Sequence, residues 1–198
     1  MYRKQIIVLL ACAASALPAL PQEPVLYRNE FTVQALGSFL KTTNDNGSQQ
    51  SATNSGGVLG GYRLFFNNYN GVEVNYGYTL NTQTYLLPSS SIGVKSYSHE
   101  VSGAYVFRKP YKRWTPFALA GVGGLIFDPK EAPGVSSQAR AAFVYGGGAD
   151  VSLSSHWYVR AEYRGFVYSS PTWNLQGLGG ADRITHRAEP SIGFGYRF

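Results

Sequence analysis

The chain has 198 residues, 44% hydrophobic, 15% aromatic and only 14% charged, with a formal net charge of +6. So low a charge content excludes a charge-rich disordered chain, and no apolar run approaches the ~18–20 residues that a spanning helix needs. With 23 Gly and 15 Tyr a helical bundle is excluded too, because Gly is a poor helix former and Tyr favours strands.

At the N-terminus, Arg3 and Lys4 precede an apolar run from Ile6 to Ala16 that ends in Ala14-Ser15-Ala16, with Pro18 and Pro21 just beyond. A basic start, a short apolar stretch and an A-x-A site predict a secretory signal over residues 1–16, with cleavage up to about residue 22. A single mature domain is then expected over residues 23–198. Cys12 is the one cysteine and lies inside that segment. The mature domain is therefore expected to carry no disulfide, thiol nucleophile or cysteine metal site.

From about Glu30 onward the apolar residues recur every second position, the period of a strand. Eight segments follow: Glu30–Lys41, Gly56–Phe66, Gly71–Asn81, Lys95–Phe107, Thr115–Phe127, Arg140–Leu153, Trp157–Tyr168 and Thr185–Phe198. Each is longer than the ~5–6 residues of an average soluble strand and close to the ~9–11 of a tilted strand crossing a bilayer. Connections alternate. Asn67–Asn70, Arg108–Trp114 and Ser154–His156 are short, whereas Thr42–Ser55, Thr82–Val94, Asp128–Ala139 and Ser169–Ile184 are long and polar. Short turns at one end and long loops at the other predict an all-β, eight-stranded antiparallel up-and-down transmembrane β-barrel.

In such a barrel the apolar face meets lipid and the polar face lines the lumen. The polar faces carry Arg63, Glu73, Glu100, Arg160, Glu162, Arg164, Arg187, Glu189 and Arg197, with no mid-strand Lys. Arg suits confined, bidentate pairing with carboxylates, so these residues are expected to form ion pairs in a filled lumen. Glu162 with Arg187 and Arg164 with Glu189 are candidate pairs. Lys residues fall in loops or at strand ends.

The chain closes on Ser191-Ile192-Gly193-Phe194-Gly195-Tyr196-Arg197-Phe198. Here it resembles the small eight-stranded bacterial outer-membrane β-barrels of the outer-membrane-protein-A-like and OmpX-like kind. Ser191, Gly193, Tyr196 and Phe198 match that group's C-terminal assembly signal. The resemblance implies recognition of this strand by the barrel-assembly machinery, and location in the outer membrane among its lipids and lipopolysaccharide. It does not extend to the peptidoglycan-binding domain of the longer members.

Some small outer-membrane barrels act on lipid A, and the resemblance implies that such an enzyme would need a Ser–His arrangement near the outer rim. His156 falls in a short turn, His99 points away from Ser98 and Glu100 on a strand, and His186 lacks a Ser at the spacing of the deacylases. No ligand cluster suggests a metal or cofactor. The basic run Arg108-Lys109-Pro110-Tyr111-Lys112-Arg113 occupies a short turn rather than a continuous basic face, which argues against nucleic acid. Tyr111, Trp114 and Trp157 are expected as interfacial anchors. The expectation is a monomeric, non-catalytic barrel with a structural or surface-interaction role. A small-solute or ion channel and a lipid-A-modifying enzyme are the alternatives.

Overall fold

The computed structural model describes residues 27–40, 43–45, 48–52, 54–87, 90–130, 137–169 and 184–198. The expected signal segment, Cys12 and most of the expected loop Ser169–Ile184 lie outside them. The described residues form ten strands: β1 (Asn29–Leu40), β2 (Thr43–Asp45), β3 (Ser48–Ala52), β4 (Ser55–Phe65), β5 (Asn70–Leu87), β6 (Ser90–Arg108), β7 (Trp114–Lys130), β8 (Gln138–Ser152), β9 (Trp157–Ser169) and β10 (Ile184–Arg197). Eight of them close a ring in the order β1-β4-β5-β6-β7-β8-β9-β10, with β10 returning to β1 and every pair antiparallel. Closure satisfies the backbone groups of both edges. At the seam, Asn29 N–H donates to Phe198 O at 3.1 Å and Phe198 N–H to Asn29 O at 2.9 Å. Between Leu36↔Ser191 and Phe39↔Ala188 the β1–β10 ladder is interrupted, opposite Pro190. Proline has no N–H to give there.

The connections expected to be short are short: residues 66–69, 109–113 and 153–156. Asn67 Oδ1 accepts from the N–H of Tyr69 and of Asn70, both at 2.8 Å, an Asx-type turn. Ser154 Oγ accepts from Trp157 N–H at 3.1 Å. One expected loop is corrected. Most of Thr82–Val94 is strand, because β5 runs to Leu87 and β6 starts at Ser90, in unbroken register from Leu87↔Ser90 to Asn70↔Phe107. Thr82-Gln83-Thr84-Tyr85 is β-favouring, and a hairpin partner lies directly opposite. Part of Thr42–Ser55 is also strand, since β2 and β3 pair with each other and β3 continues onto β5.

The barrel is inside out. Arg63, Arg160, Arg164, Arg187, Glu73, Glu100 and Glu189 are buried, while Phe31, Val33, Val58, Val101, Phe143, Ile192 and Phe194 are half exposed or more. Among the described residues there is no helix long and apolar enough to cross a membrane. An apolar outer face on a closed ring of strands suits a lipid solvent. At the short-turn end, Tyr111 and Trp114 stack with centroids 5.2 Å apart and Trp157 meets Tyr196 edge-on at 5.0 Å. Tyr62 and Tyr105 hydroxyls there donate to Asn29 at 2.6 Å and Asn70 at 2.5 Å. Amphipathic rings with satisfied hydroxyls suit a membrane–water boundary.

Candidate functional site

The alternation that puts apolar residues outside turns every second residue inward. Closure of the ring then brings the inward charges of distant strands together. On the short-turn side, Glu30 of β1 accepts from Arg108 of β6 at 2.6 Å and from Arg160 of β9 at 3.0 Å. Arg160 also holds Asp150 of β8 in a fork, at 2.6 and 2.8 Å. One step along the axis, Arg63 of β4 donates to Glu73 of β5, which also accepts from Asn75, and reaches Glu162 of β9 at 3.3 Å. Toward the long-loop side, Arg164 donates to Glu100 at 2.6 Å and to Glu189 at 3.2 Å. Arg187 donates to Glu189, to Glu100 at 2.8 Å and to Ser98 Oγ at 2.8 Å.

These groups form one connected lattice. Arg160 approaches Glu73 at 3.9 Å and Arg164 approaches Glu162 at 3.5 Å, which joins the tiers. Seven of the eight ring strands contribute. β7 gives instead the Phe117 ring, over which the guanidiniums of Arg63 and Arg160 lie at 4.0 and 5.0 Å. Phe166 sits likewise under Arg164 and Arg187. Buried charges repay desolvation only when paired and hydrogen-bonded, and the planar guanidinium serves several acceptors at once. Room is made for the lattice by small residues. A Cβ on Gly77 would lie 2.5 Å from Glu100 Cγ.

The expected lumen residues all face inward, and eight of the nine join the lattice. Arg197 stands apart, its guanidinium over the Tyr158 ring at 4.6 Å. Of the two suggested pairs, Arg164 and Glu189 meet. Glu162 and Arg187 do not, because the register sets Ser191 opposite Glu162 and Phe166 opposite Arg187. Three lattice members lie outside the expected set: Glu30, Asp150 and Arg108. Parity could have found two, since Glu30 shares a face with Thr32 and Gln34, and Asp150 shares one with Ala142 and Val144. The sequence places Arg108 in the turn, but β6 extends through it.

The motif residues of the last strand lie along the seam. Ser191 donates to Gln34 Oε1 at 3.2 Å. A Cβ on Gly193 would fall 2.1 Å from Val33 O, so this glycine lets β10 approach β1. Tyr196 and Phe198 face outward, with centroids 6.2 Å apart. Tyr111, Trp114 and Trp157 are about half exposed at the short-turn rim. The histidines are spread. His99 Nδ1 bonds Tyr76 Oη and His186 Nε2 bonds Tyr145 Oη, each at 2.8 Å on the outer face, and His156 Nδ1 bonds Ser155 Oγ at 3.0 Å in a turn.

An interior of paired charges inside an apolar shell is the inverse of a soluble barrel, and the family comparison agrees with it. The model of the outer membrane protein beta-barrel domain matches residues 6–198. This chain belongs to that family. It is a small protein of the bacterial outer membrane, crossing it as an eight-stranded barrel. Among solved structures, this outer-membrane barrel is similar to OprG from Pseudomonas aeruginosa, with TM-score 0.63 and 14% identity over 87% of this chain and 97% of that one. It is equally similar in fold to Neisserial surface protein A, with TM-score 0.63 and 12% identity over 86% and 97%. The attachment invasion locus protein Ail of Yersinia pestis gives TM-score 0.56 and 19% identity over 88% and 100%. No curated protein sequence matches.

Proposed function

We propose that this outer-membrane barrel has a structural and surface-interaction role, with a lumen closed by side chains rather than open as a pore. The observation that carries this reading is the lattice from Arg108 and Glu30 at one end to Arg187 and Glu189 at the other. An eight-stranded ring encloses a space that side chains can fill, and here fixed ion pairs occupy it. Moving an ion through would mean separating them at low dielectric. In planar bilayers the purified protein should give no steady channel steps above the detergent-only baseline. Reproducible steps, lost on substitution of lattice residues, would replace this reading with that of a channel.

The surface role is favoured by β5 and β6, whose pairing continues to Leu87 and Ser90 at the long-loop end. The Tyr78–Tyr97 stack at 5.5 Å braces that hairpin. Outer-leaflet lipopolysaccharide is the partner nearest to it. A non-catalytic reading is supported by the outward His99 and His186, each bonded to a tyrosine hydroxyl, and by the one Ser–His contact among the described residues being between neighbours in a short turn. A lipid-A mass shift on expression would overturn it. The barrel is read as a monomer, since closure leaves no edge that a second copy must cover.

Biogenesis is read the same way. Ser191, Gly193, Tyr196 and Phe198 are the residues through which the assembly machinery would take up β10 by strand addition. Phe198→Ser should lower the folded fraction in cells several-fold, read by heat-modifiable gel migration, while purified protein still refolds in detergent. Equal loss in both settings would make Phe198 a packing residue only. Residues 1–16 remain the proposed export signal.

A further inference from the structure

The lattice does not use everything at the short-turn end. A cavity of about 360 Å³ opens there, lined among others by Glu30, Arg108, Lys112, Ser154 and Arg197. The single acidic side chain among its described lining residues, Glu30, is already engaged. Glu30 Oε1 accepts from Arg108, and Oε2 accepts from Arg160 at 3.0 Å and from Tyr158 Oη at 3.2 Å. The neighbouring Asp150 has both oxygens on Arg160. Arg197 is left over. Its Nε and Nη2 are buried and have no hydrogen-bond acceptor among the described residues. Native proteins retain few buried donors in that state, because an unmet charged donor is costly. Lys112 adds a second cation from the turn. Ser154 accepts from Trp157 N–H, so its own proton is free for another acceptor.

Cations from one turn and two strands thus converge where the described residues offer no further carboxylate. We propose that this mouth is a binding site for a phosphate-type oxyanion, held between Arg197, Lys112 and Arg108 with Ser154 as a neutral donor. Phosphate has several acceptor oxygens in a tetrahedral array, which suits donors arriving from different sides, and guanidinium matches its geometry. The cavity has room for a group esterified to the phosphate. That phosphate could come from a soluble ester or from a lipid headgroup at the rim, where Tyr111 and Trp114 lie. The site stands independently of whether the lumen conducts.

The test is calorimetric titration of the refolded protein in zwitterionic detergent, with inorganic phosphate and, separately, with dihexanoyl phosphatidic acid. Saturable binding is expected, weakened by at least about 10-fold in Arg197→Gln, the loss of one charge-assisted hydrogen bond. Lys112→Gln should weaken it in the same direction. Lys109→Gln should leave it within about 2-fold, since Lys109 lies instead near the Tyr111 ring. Saturation by inorganic phosphate supports the soluble source, and saturation by the phosphatidic acid alone supports the headgroup. If Arg197→Gln does not refold, Lys112→Gln in the exposed turn decides. No saturation by either probe, or saturation that neither variant weakens, overturns the proposal.

Discussion

Glu100→Gln is expected to lower the unfolding free energy of the barrel by about 3–5 kcal/mol, the range for breaking a buried ion pair from one side. Glu100 is fully buried and accepts from two guanidiniums, Arg164 at 2.6 Å and Arg187 at 2.8 Å. Without its charge the carboxylates left to those cations are Glu189, shared by both, and Glu162, 3.5 Å from Arg164. Gln keeps the volume beside Gly77, so the loss reports charge rather than a void. Adding Arg164→Met restores one cation to one carboxylate, Arg187 with Glu189. The double variant should therefore lose less than the single, although it has lost more contacts. Urea titrations in lipid vesicles, followed by tryptophan fluorescence, make the comparison. A double variant less stable than the single would mean that the lattice is held by contact area and not by charge balance.

Val74→Arg should cost about 2–4 kcal/mol, the range for a cation facing the bilayer midplane. Val74 is 58% exposed on the outer face of β5, between Val72 and Tyr76, with Tyr62 and Gly103 opposite it. Leu153→Arg is the matched control. Leu153 is 62% exposed but lies in the turn between β8 and β9, where an added cation should cost about 0–1 kcal/mol. The same vesicle titrations apply. Equal losses at the two positions would contradict a lipid-facing outer surface at Val74.

The strand plan was readable because one physical constraint acts on nearly every residue of a strand. Trp157–Tyr168 and Thr185–Phe198 lie within one residue of β9 and β10 at each end. Lipid outside and side chains inside leave no position neutral, so the alternation is continuous. That constraint lapses beyond the bilayer. Thr82-Gln83-Thr84-Tyr85 has strand residues without a lipid-imposed alternation, so its sequence reads as loop although it is strand. Ion-pair partners were less legible, because parity tells only that a residue faces inward. Arg63 meets Glu162, and Arg187 meets Glu100, across the interior. Such meetings depend on the shear of the closed ring, which no single strand encodes. The short-turn mouth was the least visible. Arg108 was hidden in a basic turn, and it joins Lys112 and Arg197 around one cavity only when the last strand closes against the first.

That closure has a consequence for how the chain is finished. Among the ring strands β1 comes first and β10 last in chain order, and they pair with each other. Until β10 is made, the edge of β1 stays open, and the most sequence-distant pairing in the ring waits for it. A prematurely terminated chain can build its internal hairpins but can never conceal its edges. Closure of the ring is thus a yes-or-no state of the backbone, which a protease or chaperone that grips unpaired strands could read without inspecting any side chain.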